Sequence, residues 1–281
     1  MNNMERVYTI LLCLIMMMKS NVTKADDNDP ALQHDVNAYQ PDSLPERAVK
    51  DTPLPYRNRP QIFKEQAYYS REKTGVHGID VSHYQEHVNW EEVAATKEVG
   101  YVYIKATEGR DIVDQTYKYN ITEARKYRIK AGTYHFFRPN MDALTQYRNL
   151  MSVMNKHEQD LLPLIDVEIV PRGFSTGIFH MRLLELCRLL AQEFGGQNPI
   201  IYTGKHFYDT YFADYPQFKN FKFMIAAYND DPPVLEDHKD YLIWQYSSKG
   251  YIDGIDCHVD KSCFVGKHVL SEITVNHSKL K

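Results

Sequence analysis

Short β-rich runs alternate with stretches of helical periodicity from residue 76 onward, and this alternation constrains the fold more than any other feature. It is typical of βα units built around a parallel sheet. Helical stretches separate the first five strands, and beyond the fifth strand they shorten or vanish. The eight predicted strands cover residues 78–82, 101–107, 130–137, 161–169, 199–204, 221–228, 241–247 and 254–264.

Eight such strands predict an α/β fold, namely an irregular TIM-like barrel whose last strands are joined mainly by loops. An open doubly wound sheet is the alternative arrangement. The clearest helix lies in FHMRLLELCRLLAQEF, where Phe179, Leu183, Leu186 and Leu190 recur at helical spacing along one face. We expect residues 76–270 to form a single domain, followed by a short tail at 271–281.

The first 75 residues differ from the rest of the chain. Residues 1–25 contain the apolar run VYTILLCLIMMM, which at about 12 residues is shorter than the roughly 20 that a membrane-spanning helix needs. We therefore expect a secretory signal peptide, and a secreted protein, rather than a membrane anchor. Residues 26–75 hold six of the 13 prolines and no sustained hydrophobic period, which indicates a leader or linker.

Charge and cysteine content exclude some functions. A formal net charge of −4 gives no reason to expect a nucleic-acid partner. Cys187 falls on the apolar face of a predicted helix, where a buried, inert thiol is expected. Cys257 and Cys263 lie close together in the sequence. In an oxidising compartment the sequence is compatible both with a disulfide between them and with two free thiols.

Four acidic residues lie in the predicted strands: Asp80 in the first, Asp166 and Glu168 in the fourth, and Asp260 in the last. Aspartate is a poor strand former, so its presence inside apolar runs needs a reason. Because reactive groups gather at the carboxyl ends of barrel strands, we expect these four side chains to share one cavity.

The acid pair Asp166 and Glu168 in LPLIDVE is the most specific feature of the sequence. Residues i and i+2 of a strand point to the same face, with Cα atoms roughly 6.6 Å apart. Repulsion and partial burial should raise the pKa of one carboxyl and leave the other ionised, a division of labour that glycoside hydrolysis requires. A solvated strand end with two carboxylates paired to Lys or Arg is the alternative interpretation.

Aromatic side chains surround the acids in the predicted strands and can stack on sugar faces, although an aromatic-rich core would contain similar residues. No nucleotide, P-loop, serine-hydrolase or zinc-protease motif is present, and no cofactor or metal is expected. His83 and His87 have the spacing of a metal pair, but their segment is predicted to be a loop. The aromatic residues are Tyr134, Phe136, Tyr202, Tyr228, Trp244 and Tyr246.

Six motifs, in order and at fitting separations, resemble the family 25 glycoside hydrolases, the Chalaropsis-type muramidases. The resemblance covers residues 76–266 and implies a (β/α)5(β)3 barrel in a single catalytic domain. It implies substrate contacts for Ser82, Gln85, Lys105 and Glu108. The motifs are GIDVSHYQ, YIKATEG, GTYHFF, LPLIDVE, IIYTG and WQYSSKGYIDGIDCHVD.

The resemblance implies hydrolysis of peptidoglycan at the β-1,4 bond between N-acetylmuramic acid and N-acetylglucosamine, with no obligatory protein partner. Glu168 would be the general acid, and Asp166 would stabilise the transition state directly or by orienting the substrate's N-acetyl group. Asp80 and Asp260 would tune these two carboxyls. The sequence departs from the family pattern at Met224, where an aromatic residue is usual.

Two other functions remain open at this stage. One is a glycosidase that acts on a different N-acetylhexosamine polymer, and the other is a non-catalytic glycan-binding wall protein. Loss of an acid would have favoured the second, but all four acids are present.

Overall fold

The structure is a computed structural model that describes residues 77–280, so the predicted signal peptide and the 26–75 leader lie outside the described residues. A nine-stranded sheet closes on itself because its first strand pairs with both its second and its last. The strands are β1 (His77–Val81), β2 (Val99–Glu108), β3 (Ile112–Val113), β4 (Lys130–Phe136), β5 (Leu164–Asp166), β6 (Ile200–Gly204), β7 (Phe223–Ala226), β8 (Ile243–Gly250) and β9 (Val259–Phe264).

Eight of these strands form the closed barrel, in the order β1, β2, β4, β5, β6, β7, β8 and β9, while β3 forms a short hairpin on β2. All neighbours pair in parallel except β9, which runs antiparallel to both β8 and β1. The predicted barrel is confirmed and the open sheet is excluded. The reversed direction of β9 was not predicted, because a period of two residues does not encode strand direction.

Five helices follow the parallel strands, and beyond β7 no α-helix occurs within residues 77–280, so the (β/α)5(β)3 pattern holds. In the fourth helix, Ser175 caps the N-terminus, and Phe179, Leu183, Leu186 and Leu190 are fully buried against the barrel, as their spacing predicted. The helices are α1 (Trp90–Thr96), α2 (Tyr117–Lys126), α3 (Ala143–Met151), α4 (Thr176–Glu193) and α5 (Lys205–Tyr211).

Two tyrosines from β2 fill the barrel interior at the end where the parallel strands begin. The Tyr101 ring lies over Gly78, where an added Cβ would come within 2.1 Å of the ring, and the Tyr103 ring lies over Gly132, where an added Cβ would come within 2.8 Å of it. Their hydroxyls bond to Ser262 Oγ at 2.9 Å and to the Leu162 carbonyl at 3.2 Å. These rings fill the barrel interior on that side, and the carboxyl ends of the parallel strands, where barrel sites form, lie at the opposite end.

No disulfide joins Cys257 to Cys263, and none of the three cysteines within residues 77–280 is disulfide-bonded. Cys263 is buried near the end of β9, whereas Cys257 lies before this strand, with its Sγ 3.5 Å from the Tyr84 carbonyl oxygen. Most of the chain between them lies in the extended strand β9, which separates the two cysteines along the sheet.

The end of the chain packs on the barrel. Ile273 and Val275 are buried, and Thr274 forms a bridge with Leu161 ahead of β5. Among residues 77–280 the longest helix has 18 residues, and none combines the length and apolar character required to cross a membrane.

Candidate active site

The strands bring the four predicted acids to one end of the barrel. Asp80 on β1 lies directly opposite Asp260 on β9. Asp166 is the last residue of β5 and lies between Phe136 of β4 and Tyr202 of β6 in the sheet register. Glu168 follows two residues later and interacts electrostatically with Asp166 and Asp260.

Asp166 and Glu168 differ in their surroundings. The Asp166 side chain is buried, and loss of hydration, followed by the charges of Glu168 and Asp80, raises its pKa well above the usual range. Glu168 is exposed to the cleft, and its pKa is raised by loss of hydration among the cleft walls and then by Asp260. Oδ1 of Asp166 is buried and has no hydrogen-bond partner within residues 77–280.

Asp80 and Asp260 form a hydrogen-bonded acid pair. Burial, followed by the charge of Asp260, raises the pKa of Asp80 well above its usual range, and a hydrogen bond from Gln245 acts in the opposite direction. The pKa of Asp260 is raised mainly by burial, while its bond from Asp80 lowers it. The two carboxyls therefore titrate as a coupled pair, and their contact raises the pKa of Asp80 and lowers that of Asp260.

Gln245 is a site residue that the sequence interpretation missed. It lies on β8 with only 1% of its surface exposed, and its Nε2 donates to Asp80 Oδ2 at 3.0 Å. Its Oε1 accepts from the hydroxyls of Tyr202 at 2.9 Å and Tyr228 at 3.1 Å. A glutamine inside the otherwise apolar run LIWQY was the signal that could have revealed it.

Two cationic side chains, Lys105 and Arg138, lie near the acids. Lys105 is buried on β2, donates to Glu108 Oε2 at 2.8 Å, and lowers the pKa of both Asp166 and Glu168. Arg138, which the sequence interpretation also missed, donates to the other Glu108 oxygen from Nε at 3.0 Å. Desolvation alone would raise the pKa of Glu108, but the bonds from Lys105 and Arg138 lower it. The Phe136 ring contacts both cations, with its centroid 5.4 Å from Lys105 Nζ and 4.7 Å from Arg138 Cζ.

Ser82 and Gln85 organise the backbone at the rim of the site. The Ser82 side chain caps the short 3-10 turn His83–Gln85, and the Ser82 amide donates to Gln85 Oε1 at 2.9 Å. Gln85 Nε2 donates to the His258 carbonyl at 3.1 Å, which ties this turn to the segment before β9. These contacts give both residues a structural role close to Asp80.

The predicted aromatic residues separate into two groups. Tyr134, Tyr202 and Tyr228 face the acids. Burial is the largest cause of the raised pKa of each hydroxyl, and the negative charges of the acids raise it further. Trp244 is only 6% exposed and donates from Nε1 to the Ala227 carbonyl at 2.7 Å, so little of its ring is available to a sugar. The Tyr246 ring lies against Trp244, with centroids 5.6 Å apart.

Two other sequence features have structural explanations. His83 Nδ1 bonds to Asp114 Oδ2 at 2.8 Å, and His87 packs on Tyr119 with ring centroids 5.0 Å apart. The two imidazole rings, which have the sequence spacing of a metal pair, thus contact different residues. Met224 is buried on β7 beside Tyr202 in the sheet register, which leaves no exposed aromatic face at that position.

A closed barrel with carboxyl groups of unequal surroundings at one end, and tyrosines around them, fits the class of glycoside hydrolases. The chain belongs to the glycosyl hydrolases of family 25, whose model matches residues 79–255. It is an enzyme that hydrolyses O-glycosyl bonds.

Relatives and solved structures agree with this membership. The chain is similar to YegX of Escherichia coli strain K12, at 33% identity over 68% of this chain and 70% of YegX. It is also similar to lysozyme M1 of Streptomyces globisporus, at 28% identity over 69% of each chain. A family 25 glycosyl hydrolase from Bacillus anthracis superposes with a TM-score of 0.63 and 28% identity, over 71% of this chain and 93% of that chain.

Proposed function

We propose that this protein is a muramidase that hydrolyses the β-1,4 bond between N-acetylmuramic acid and N-acetylglucosamine in peptidoglycan. The observation that carries the proposal is the pair at the end of β5, an exposed Glu168 with a raised pKa beside a buried Asp166 with an unpartnered oxygen. Support for the substrate comes from similarity to proteins named lysozyme M1 and autolytic lysozyme.

Glu168 is assigned as the general acid. Its raised pKa keeps a proton on the carboxyl at higher pH than an ordinary glutamate would, and its exposure lets that proton reach the glycosidic oxygen. As the bond between the anomeric carbon and this oxygen breaks, the proton moves to the leaving sugar. Glu168 then becomes a carboxylate that can accept a proton from the attacking water.

Asp166 is assigned to the substrate's 2-acetamido group. Its unpartnered Oδ1 can accept the N–H of that group, and this contact would turn the acetamido oxygen toward the anomeric carbon as positive charge develops there. A hydrogen bond to substrate would also satisfy a buried polar atom that is otherwise costly to leave unpaired. Burial, Glu168 and Asp80 oppose the ionisation of Asp166 that this role requires, and Lys105 favours it.

The remaining groups set the field around these two residues. Asp260 raises the pKa of Glu168. Asp80 holds Asp260 in place by a hydrogen bond, and Gln245 does the same for Tyr202. Tyr228, at 57% exposure, offers a ring to a sugar at the rim. Action on a wall polymer requires export, which agrees with the predicted signal peptide, and secretion forms part of this proposal.

Digestion of purified peptidoglycan tests the proposed function. The new reducing ends are converted to alditols with borohydride, released by acid hydrolysis and identified by mass spectrometry. The proposal predicts muramitol from the wild-type protein and none from Glu168→Gln. Glucosaminitol would contradict the assigned bond, and digestion of chitin oligomers but not peptidoglycan would point to another N-acetylhexosamine polymer.

A further inference from the structure

Glu108, Phe136 and Asp166 lie side by side at the mouth of the barrel. The sheet register pairs Glu108 of β2 with Phe136 of β4, and Phe136 with Asp166 of β5. Since adjacent strands are about 4.8 Å apart, Glu108 lies about 10 Å from Asp166 along this edge. A group bonded to Glu108 is therefore within reach of a substituent on the sugar that contacts Asp166.

Lys105, Glu108 and Arg138 form a cluster with a net positive charge. Lys105 Nζ donates to Glu108 Oε2 at 2.8 Å, and Arg138 donates to Oε1 from Nε at 3.0 Å and also from Nη2. Burial alone would raise the pKa of Glu108, but these bonds lower it, so the cluster holds two cations and one carboxylate. One positive charge is left without a counter-charge inside the cluster.

Arg138 is the most accessible member of this cluster. Its side chain is 27% exposed, compared with 10% for Lys105 and 13% for Glu108. Both Nε and Nη2 of Arg138 are used on Glu108, whereas Nη1 has no hydrogen-bond partner among residues 77–280. The Nη1 hydrogens are therefore available to an acceptor that comes from outside the protein.

The position of Arg138 is fixed by its neighbours. The Arg138 amide donates at 2.8 Å to Oε1 of Gln146, a fully buried residue of α3, and Gln146 Nε2 donates at 2.9 Å to the Arg138 carbonyl. The guanidinium lies over the Phe136 ring, with Cζ 4.7 Å from the ring centroid. A side chain held at its backbone, its flat face and one edge loses little further freedom when it binds a ligand, which favours recognition.

The substrate of the proposed function carries anionic groups in a matching place. Its muramic sugar has a lactyl ether on C3, next to the 2-acetamido group on C2 that is assigned to Asp166. The lactyl group ends in a carboxylate, or continues as a stem peptide that bears carboxylates. On the other side of Asp166 the register leads to Tyr202 and then toward the acid pair Asp80 and Asp260, which repels such groups. Charge complementarity therefore favours the side on which Arg138 lies.

We propose that Arg138 binds a carboxylate carried on the C3 side chain of the muramic sugar, and that it thereby selects peptidoglycan over polymers of N-acetylglucosamine alone. The inference rests on the proposed function, because it assumes that Asp166 contacts the acetamido group of a muramic residue. Lys105 neutralises Glu108, so the charge of Arg138 remains available to the substrate. The carboxylate belongs to the lactyl group or to the stem peptide, and different strands separate these sources.

Three preparations of soluble glycan strands test the proposal with the full chain. In the first, an amidase has removed the stem peptides and left the lactyl carboxylates free. The second is the first with these carboxyls converted to methylamides, so that it is neutral and of nearly the same size. The third retains its stem peptides. The ratio kcat/KM is measured on each preparation for the wild type, Arg138→Gln and Arg138→Lys.

The loss of Arg138 should depend on the charge of the substrate. Arg138→Gln should reduce kcat/KM by about tenfold or more on strands that bring a carboxylate to the site, and by less than about threefold on the methylamide strands. A loss on the first preparation assigns the lactyl carboxylate, and a loss confined to the third assigns the stem peptide. Arg138→Lys should recover part of the loss, because it restores the charge without the planar fork.

The comparison of charged with neutral strands separates binding from indirect effects. Any influence of Arg138 on the pKa values of the acids acts alike on both kinds of strand and cancels in their ratio. Arg172→Gln, at an exposed position in the loop between β5 and α4, is the matched control and should leave this ratio unchanged. If Arg138→Gln does not fold, the wild type alone decides, because equal rates on neutral strands and on both charged preparations would exclude a carboxylate site.

Three results would overturn the proposal: an equal loss on charged and neutral strands in Arg138→Gln, no loss on any of them, or the same change of ratio in Arg172→Gln. Failure of the proposed function is distinguishable, because it appears as the absence of muramitol from every wild-type digest. Failure of this inference alone leaves muramitol formation by the wild type intact.

Discussion

Asp80 and Asp260 face each other across antiparallel strands β1 and β9 and share a hydrogen bond. The reversal of β9 makes this contact possible, because it brings Asp260, near the start of its strand, to the mouth where the parallel strands end. The contact raises the pKa of Asp80, and the charge of Asp260 raises the pKa of Glu168.

Removing the charge of Asp260 should change the pH dependence of the enzyme. Asp260 raises the pKa of Glu168, so Asp260→Asn should lower it and move the alkaline limb of kcat to lower pH. The rate is measured on purified peptidoglycan from pH 4 to pH 9. Asp214→Asn, at an exposed position beyond α5, is the control and should leave the limb in place. An unmoved limb in Asp260→Asn would show that its charge does not reach Glu168.

Lys105 should act with the opposite sign. It lowers the pKa of both Asp166 and Glu168, so Lys105→Met should raise both and move the whole pH profile to higher pH, by up to about one unit. Lys126→Met, at an exposed position on α2, is the charge-matched control. A profile that loses height without moving would assign Lys105 to substrate binding instead.

The barrel interior gives a stability prediction. Gly78→Ala would place a Cβ 2.1 Å from the Tyr101 ring, and overpacking of this kind should reduce the free energy of unfolding by about 3 kcal/mol. Gly204→Ala is the matched control, because an added Cβ there meets nothing within 4 Å. Urea denaturation compares the two variants, and equal stabilities would contradict the close packing of Tyr101 over β1.

Asp114 should link stability to pH. Desolvation opposes its ionisation, but bonds from His83 and Thr116 prevail and lower its pKa. A carboxyl with a depressed folded pKa contributes stability above its unfolded pKa of about 3.9, and this stability is lost as pH falls through the folded value. Asp114→Asn should cost about 1–3 kcal/mol at pH 6 and less at pH 3.

Denaturation midpoints at both pH values measure this difference. The exposed Asp111→Asn serves as control and should change stability little at either pH. A loss for Asp114→Asn that is the same at pH 3 as at pH 6 would show that ionisation of Asp114 contributes no stability.

Much of the fold could be predicted from the sequence, because buried barrel strands are continuous apolar runs and α4 carries a clear helical period. The four acids could be predicted because aspartate is out of place in such runs. Strand direction, the free state of Cys257 and the orientation of Trp244 could not, since each depends on the register of the closed sheet.

Gln245 and Arg138 show a second limit. Gln245 lies 165 residues from Asp80 and Arg138 lies 30 residues from Glu108, so neither contact has a local sequence signature. Asp80 could be recognised from the strand pattern, and Glu108 from the family resemblance. The groups that fix the protonation and orientation of those acids appear only when the barrel closes.

The central assignment, Glu168 as general acid, is tested most directly by the turnover of Glu168→Gln on purified peptidoglycan, with circular dichroism to show that the fold is retained. A glutamine preserves size and hydrogen bonding but cannot protonate the glycosidic oxygen. The account predicts a fall in kcat of at least about 1,000-fold with a native spectrum. Turnover within about tenfold of the wild type would contradict it, because general acid catalysis is worth more than that.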